Sequence, residues 1–270
     1  MEELFISSTQ NPKVKRIATL IQKSSLRKET GLFVVEGFRE IEHCIEAGFQ
    51  PEAVYVCPEI LEGRPTFLQT AFDKEHTVFP IYSVTPEVYA KLAFREGTEG
   101  IIAVMKGRTL TLDELKLSKV PLIVVLERVE KPGNLGAVLR SADAAGADAV
   151  IVCDPLTDLY NPNLIRSSIG AIFTVPTVSC TSESCIAWLK KNNIRILTAQ
   201  LQDSHLYYDT DMERPTAIVM GTESTGLTDQ WRRAANAHIR IPMQGQLDSL
   251  NVSVSAAILL FEAVRQRLNH

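Results

Sequence analysis

Apolar and polar positions follow two different periods along the first third of the chain. Residues 11–23 place apolar side chains at helical spacing, and the same period recurs over 38–48 and 85–93. Short apolar runs that are typical of strands stand between these helices, at 32–37, 53–57, 77–84 and 100–105. This alternation predicts a small α/β domain over residues 1–105.

The alternation resumes after residues 106–120, a polar stretch that we interpret as a linker. The strands predicted beyond it are residues 122–127, 148–153, 173–178, 195–199, 217–221 and 238–242. The helices predicted beyond it are residues 135–146, 161–171, 182–192 and a final apolar helix ending near residue 266. Strands this apolar, separated by helices, indicate a mostly parallel sheet covered on both faces. We therefore expect an α/β domain over residues 121–270.

Composition places the chain among ordinary globular proteins. It has 270 residues, of which 45% are hydrophobic and 22% are charged. No stretch approaches the ~18 uninterrupted apolar residues of a membrane span, and the N-terminus lacks the apolar core of a signal peptide. We therefore expect a cytoplasmic protein without a membrane partner.

Cysteines and histidines give no sign of a metal site. The five cysteines form no CxxC pair, and the five histidines are scattered along the chain. Cys153 lies within an apolar run, so we interpret it as a small buried hydrophobic residue. No metal is expected.

Charge is unevenly distributed. The net charge of −4 argues weakly against a nucleic-acid ligand, yet residues 11–28 contain six basic side chains, Lys13 and Arg16 among them, and no acidic one. Such a patch can bind phosphates although the whole chain is acidic. A solvated helix face explains the segment equally well.

Three loops that directly follow predicted strands contain the candidate chemistry, because ligands of parallel α/β sheets gather at the carboxyl ends of strands. In the first loop, residues 127–146, Arg140 stands six residues after Asn134, so that both could face one site. An asparagine cap and a surface arginine are the alternative. The GxGxxG fingerprint is absent, which disfavours a dinucleotide site.

The second loop, residues 220–227, has Gly221 and Gly226 on either side of Glu223. Two glycines this close allow a ligand to approach the backbone. A tight turn with an exposed glutamate is the alternative.

The third loop, residues 241–260, leads into the last helix. Ser249 and Asn251 stand at the start of this apolar helix, and either residue can cap it. Since one cap is sufficient, two polar side chains indicate a binding role in addition to capping.

Together, the three loops resemble the motifs of the SpoU (TrmH-like) branch of the SPOUT methyltransferases. Those motifs are an Asn-x-Gly with an arginine six residues after the asparagine, then G-x-E-x-x-G, then I-P-M followed by S-L-N-V-S. The matching residues, in the same order, are Asn134, Gly136 and Arg140, then Gly221, Glu223 and Gly226, then residues 241–243 with 249–253. The stretches 126–134 and 157–176 look closest to enzymes of the thiostrepton-resistance type. Lys131 departs from the pattern, since many relatives carry an acidic residue there.

The first domain also resembles a part of these enzymes. Residues 11–20, 33–37 and 94–104 look like the RNA substrate-binding domain that precedes many SpoU catalytic domains. That domain is similar to ribosomal proteins that bind kinked RNA.

The resemblance implies a deep trefoil knot in the second domain, a homodimer formed through the knotted domain, and S-adenosylmethionine as cofactor. The implied cofactor-binding residues are Thr198, Gly221, Ile241 and Leu250. The implied catalytic residues are Arg140, Asn134, Glu223, Ser249 and Asn251. The implied RNA-binding residues are Lys13, Arg16, Arg39, Arg95 and Arg166.

The implied reaction is methylation of a ribose 2′-hydroxyl in RNA, with ribosomal RNA favoured over transfer RNA. A guanidinium group rarely loses its proton, so we interpret Arg140 as binding a phosphate and stabilising the developing alkoxide. The alternative from another class is an RNA-binding protein that has lost catalysis.

Overall fold

The computed structural model describes residues 4–61, 79–94, 99–222, 225–246 and 249–268. The chain forms two compact units. The first comprises the chain up to Arg108 together with Leu159–Gly170, and the second comprises Thr109–Asp158 and the chain from Ala171 onward.

Strands and helices alternate along most of the chain. The described strands are β1 (Leu4–Ile6), β2 (Leu32–Glu36), β3 (Pro51–Val56), β4 (Ile81–Val84), β5 (Ile101–Lys106), β6 (Leu122–Glu127), β7 (Ala149–Cys153), β8 (Thr177–Cys180), β9 (Arg195–Ala199), β10 (His205–Leu206), β11 (Thr216–Met220) and β12 (Ala237–Arg240). The described α-helices are α1 (Pro12–Gln22), α2 (Ser24–Thr30), α3 (Phe38–Glu46), α4 (Pro86–Leu92), α5 (Pro132–Ala144), α6 (Pro162–Ser168), α7 (Ala171–Thr174), α8 (Ser182–Lys191), α9 (Asp229–Ala234) and α10 (Val252–Leu268).

The first unit contains a five-stranded mixed sheet in the order β1-β4-β3-β5-β2. Strand β5 pairs antiparallel with β2 and β3, whereas β4 pairs parallel with β1 and β3. Helix α1 begins at Pro12 because Asn11 accepts the Lys13 N–H at 2.9 Å. Its apolar side, with Val14 and Ile17, is buried in the core of this unit.

The segment containing α6 belongs to the first unit although it follows β7 in the sequence. The Tyr160 ring stacks on Phe33 with 4.2 Å between ring centroids, and its hydroxyl accepts the Arg108 N–H at 2.9 Å. An aromatic side chain packed against the first sheet therefore anchors this segment.

The second unit contains a seven-stranded sheet in the order β10-β12-β9-β11-β6-β7-β8. Every described pair of neighbours in it is parallel. All residues of β6, β7 and β11 are buried, as expected for strands covered by helices on both faces. The predicted α/β class with a mostly parallel sheet is confirmed. Because β6 and β11 are neighbours, their carboxyl ends open at the same edge.

Three predicted boundaries were wrong. The helix predicted near 135–146 begins already at Pro132. The helix predicted over 161–171 ends at Ser168, because Ile169 and Gly170 adopt positive φ angles of 55° and 84°. The strand predicted over 173–178 is helical at Phe173, and β8 starts only after Pro176, which has no N–H to continue the helix.

Short elements were not predicted at all. Strands β1 and β10 and helices α2 and α9 have between two and seven residues each. The polar stretch 106–120 contains Leu112, Leu115 and Leu117, which pack against the core of the second unit. None of the helices in the described ranges is long and apolar enough to cross a membrane.

Candidate active site

An open cleft of about 520 Å³ lies at the carboxyl ends of β6 and β11. Residues 126–131 form one wall, and Asn134, Gly221, Thr222 and Val252 complete the described lining. Leu126 and Met220 are register partners in the two strands, so the loops that follow them leave the sheet side by side. The cleft thus combines residues from all three loops singled out in the sequence.

Two asparagines meet at this cleft from positions 117 residues apart. The Asn251 Nδ2 atom lies 3.2 Å from Oδ1 of Asn134, which belongs to the first turn of α5. Asn251 Oδ1 accepts the backbone N–H of Ser253 at 2.9 Å and its hydroxyl at 2.6 Å. Because only the oxygen can accept the Ser253 N–H, the NH₂ group is left to face Asn134. One side chain therefore caps α10 and contributes to the cleft.

Arg140 lies on the same helix as Asn134 but further along it. Six helical residues correspond to about 9 Å along the axis and about 120° around it, so the two side chains leave α5 in different directions. The Arg140 side chain is exposed and has no hydrogen bond or ion pair with any residue in the described ranges. Its guanidinium group is available to a ligand.

The glycine-rich loop after β11 folds back on itself. Gly226 donates its N–H to the Thr222 carbonyl at 3.0 Å and has a φ of +67°. A Cβ atom at Gly221 would stand 2.2 Å from the carbonyl carbon of Gly226, so only glycine fits there. Glu223, predicted to be catalytic, lies outside the described residues.

The remaining predicted cofactor residues lie apart from the described lining of the cleft. Thr198 is fully buried in β9, and its hydroxyl is 2.6 Å from Nδ1 of His238 in the paired strand β12. Ile241 is half-buried just after β12, and Leu250 is 38% exposed just before α10. Ser249 is exposed beside it.

Glu127 is a site residue that the sequence analysis missed. It is 2% exposed at the end of β6, and its carboxylate accepts the Thr228 N–H at 2.8 Å and the Thr228 hydroxyl at 2.6 Å. Thr228 follows the glycine-rich loop, so Glu127 fixes the far end of that loop against β6. In the sequence, this role was indicated only by the position of Glu127, a single carboxylate that ends the apolar run LIVVLE.

Four of the predicted RNA-binding residues belong to the first unit, and Arg95 lies outside the described residues. The Lys13 ammonium is 5.3 Å from the ring centroid of Tyr82, and Arg16 forms a 3.0 Å ion pair with Glu52. Both basic side chains line one open depression.

The other two lie elsewhere on that unit. Arg39 is exposed and 3.5 Å from the Glu40 carboxylate. Arg166 is exposed on α6 and lines a small cavity with Glu36 and Phe94. The structure therefore brings Arg166 into the same unit as the other described basic candidates, which its sequence position did not indicate.

Comparison with known proteins identifies both parts of the chain. Residues 121–261, more than half of the 270, match the SpoU rRNA Methylase family, and residues 11–103 match the MRM3-like substrate binding domain. The 23S rRNA (guanosine(2553)-2'-O)-methyltransferase RlmP of Bacillus subtilis is 29% identical over 256 residues, which are 95% of this chain and 97% of that protein.

Two solved structures are similar over nearly the whole length. An RNA 2'-O ribose methyltransferase is 41% identical with a TM-score of 0.83, covering 98% of this chain and 100% of the other. An AdoMet-bound rRNA methyltransferase from Sinorhizobium meliloti is 28% identical with a TM-score of 0.88, covering 97% of each chain. The chain therefore belongs to the SpoU rRNA methylase family.

Proposed function

We propose that this protein transfers a methyl group from S-adenosylmethionine to a ribose 2′-hydroxyl of ribosomal RNA. The contact between Asn134 and Asn251 carries the proposal, since it joins two of the three SpoU motifs at one cleft. The full-length similarity to a 23S rRNA methyltransferase favours ribosomal RNA over transfer RNA.

The cleft lies where ligands of parallel α/β sheets bind, at the carboxyl ends of two neighbouring strands. The Gly221 and Thr222 backbone and residues 128–131 would hold the cofactor, with Thr198, Ile241 and Leu250 as further candidates. When bound, S-adenosylmethionine supplies a methyl group activated by a sulfonium. The protein then has to align the acceptor oxygen behind that methyl group.

The polar side chains of this chain would position the ribose and stabilise its oxygen. Asn134 and Asn251 form a fixed pair at the cleft, and Ser249 is exposed beside them. Guanidinium groups rarely lose a proton, so Arg140 would bind a substrate phosphate and stabilise the alkoxide that forms as the 2′-oxygen attacks. Glu223 would anchor Arg140. Lys13, Arg16, Arg39, Arg95 and Arg166 would bind RNA phosphates, which makes binding dependent on salt.

We further propose a homodimer formed through the second unit. Helix α10 exposes Val254 to 46% and Phe261 to 48%, and half-buried Ile258 lies between them on the same side of the helix. This exposed apolar stripe supports an interaction surface on α10. Phe261→Glu should convert a dimer to a monomer in light scattering, whereas Leu201→Glu, at a residue 48% exposed on a loop, should not.

A trefoil knot and a cytoplasmic location complete the proposal. Both ends of α10 are held by parts of the second unit that are distant in sequence, which supports the proposed knot. Asn251 contacts α5, and Arg267 donates to the carbonyls of Val120 and Met212, both at 2.9 Å. A ribosomal RNA substrate supports the proposed cytoplasmic location.

Methylation of RNA from a strain that lacks the gene tests the proposed reaction. Labelled methyl groups should appear on a ribose of ribosomal RNA and not of transfer RNA. Arg140→Ala should abolish this transfer while cofactor binding in calorimetry is kept, and Arg232→Ala, at another arginine of the second unit, should remain active. Label on transfer RNA alone, or no heat with S-adenosylmethionine, would contradict the proposal and favour a transfer-RNA enzyme or an inactive RNA-binding protein.

A further inference from the structure

Three of the five cysteines converge at the carboxyl edge of the parallel sheet. Cys153 ends β7 and Cys180 ends β8, and the two are register partners in these neighbouring strands. Cys185 lies in the first turns of α8, which begins two residues after β8 ends. The three sulfur atoms all lie within 4.8 Å of one another.

We propose that Cys153, Cys180 and Cys185 bind one thiophilic metal ion with a filled d shell, with Zn²⁺ as the candidate in the cell. Thiolates select soft or borderline ions of this class. A Zn–S bond of about 2.3 Å places the sulfur atoms of one site about 4 Å apart. The observed spacing therefore requires only small side-chain adjustments.

The elements that present the thiols are fixed relative to one another. Thr181 caps α8 by accepting the Ser184 N–H at 3.1 Å. The Ser182 hydroxyl donates to Asp154, the residue after Cys153, at 2.6 Å. Hydrogen bonds thus join the end of β7 to the start of α8 before any ion binds, which reduces the ordering cost of binding.

Burial also suits a bound ion, and the end of a helix favours the thiolate form of the ligands. Cys153 and Cys185 are fully buried among apolar side chains, whereas Cys180 is half-buried and gives an ion access from the surface. The N-terminus of α8 carries partial positive charge, which stabilises thiolates beside it. Cys153 and Cys180 are 27 residues apart, and Cys180 and Cys185 are 5 apart. These spacings match no zinc motif, which is why the sequence did not indicate this site.

Cadmium titration of the full-length protein, reduced and free of metal, tests the proposal. Cd²⁺ bound by thiolates has a charge-transfer band in the ultraviolet, and this band should saturate at one ion per chain. X-ray absorption of the cadmium and zinc forms should count three sulfur ligands. Cys180→Ser should weaken binding by more than the ~10–100-fold that changes around a metal's ligands cause. Cys57→Ser, at a buried cysteine of the first unit, is the matched control and should bind normally.

Several results would overturn the metal site. They are the absence of the band, an unchanged affinity of Cys180→Ser, or a count of fewer than three sulfur ligands. Circular dichroism checks that Cys180→Ser is folded, and if it is not, the sulfur count on the unmodified protein decides. None of these readouts depends on methyl transfer, so the metal site and the proposed function can fail separately.

Discussion

Asn251→Asp separates the two tasks of the residue that starts the last helix. In the structure, its oxygen caps α10 through Ser253, and its NH₂ group faces Asn134 at 3.2 Å. Aspartate keeps the capping oxygen and replaces the NH₂ group by a second oxygen. The cap is therefore retained while the contact with Asn134 is lost.

The two tasks predict effects of different size. Asparagine and aspartate are about equal as caps, so the free energy of unfolding should change by no more than about 0.5 kcal/mol. Asn251→Ala, which removes the cap, should cost about 1 kcal/mol. In the cleft, aspartate loses one hydrogen bond and sets its charge against Oδ1 of Asn134. A loss of about 1.5–3 kcal/mol in transition-state stabilisation corresponds to a rate about 10- to 160-fold lower.

Urea unfolding and methyl transfer to ribosomal RNA measure the two effects on the same preparations. Asn161→Asp is the matched control, because Asn161 caps α6 by accepting the Asn163 N–H at 2.9 Å and lies outside the cleft. It should retain both stability and activity. Activity of Asn251→Asp within twofold of the unmodified protein would refute the reasoning and leave Asn251 as a cap only.

Three further predictions concern Arg267, Gly221 and Glu262. Arg267→Lys should lower the free energy of unfolding, measured in urea, by about 2–3 kcal/mol, because lysine cannot bond all four carbonyls that Arg267 reaches. Arg232→Lys is the control. Arg232 forms only a surface ion pair at 3.8 Å, so this change should alter the free energy of unfolding by less than about 0.5 kcal/mol. Gly221→Ala should abolish cofactor binding in calorimetry, whereas Gly133→Ala, whose Cβ would meet nothing within 4 Å, should not. The two hydrogen bonds from Arg265 lower the pKa of Glu262 below its ordinary value. The contribution of this ion pair to the free energy of unfolding is therefore complete above the ordinary pKa and is lost as pH falls through the lowered one. Glu262→Gln should flatten this acid-induced loss of stability in thermal unfolding.

The long elements could be predicted because burial imposes a period on the sequence. Strands β6, β7 and β11 are continuous apolar runs, and α1 repeats its apolar residues at helical spacing. Elements of two to seven residues such as β10 and α9 are too short to show a period. Their structure depends on neighbouring strands and loops, so local patterns could not predict them.

The sequence could predict the motifs of the candidate site but not the contacts between them. Each polar residue of the three loops has an ordinary explanation as a cap or a turn, and the family resemblance was needed to associate them. Nothing local connects Asn134 with Asn251 over 117 residues, since their contact depends on how α10 packs against α5. The membership of Arg166 in the first unit depends in the same way on a distant contact, the stacking of Tyr160 on Phe33.

The last helix connects the site to the proposed dimer. Asn251 ties its start to Asn134, and Arg267 ties its end to four backbone carbonyls, so the helix has little freedom to rotate or slide. The same contacts fix the direction in which Val254 and Phe261 are exposed. A partner bound to that stripe would in turn restrain the helix that positions Asn251. The proposed association and the site geometry would therefore depend on the same helix, whose polar start would position site residues as well as cap it.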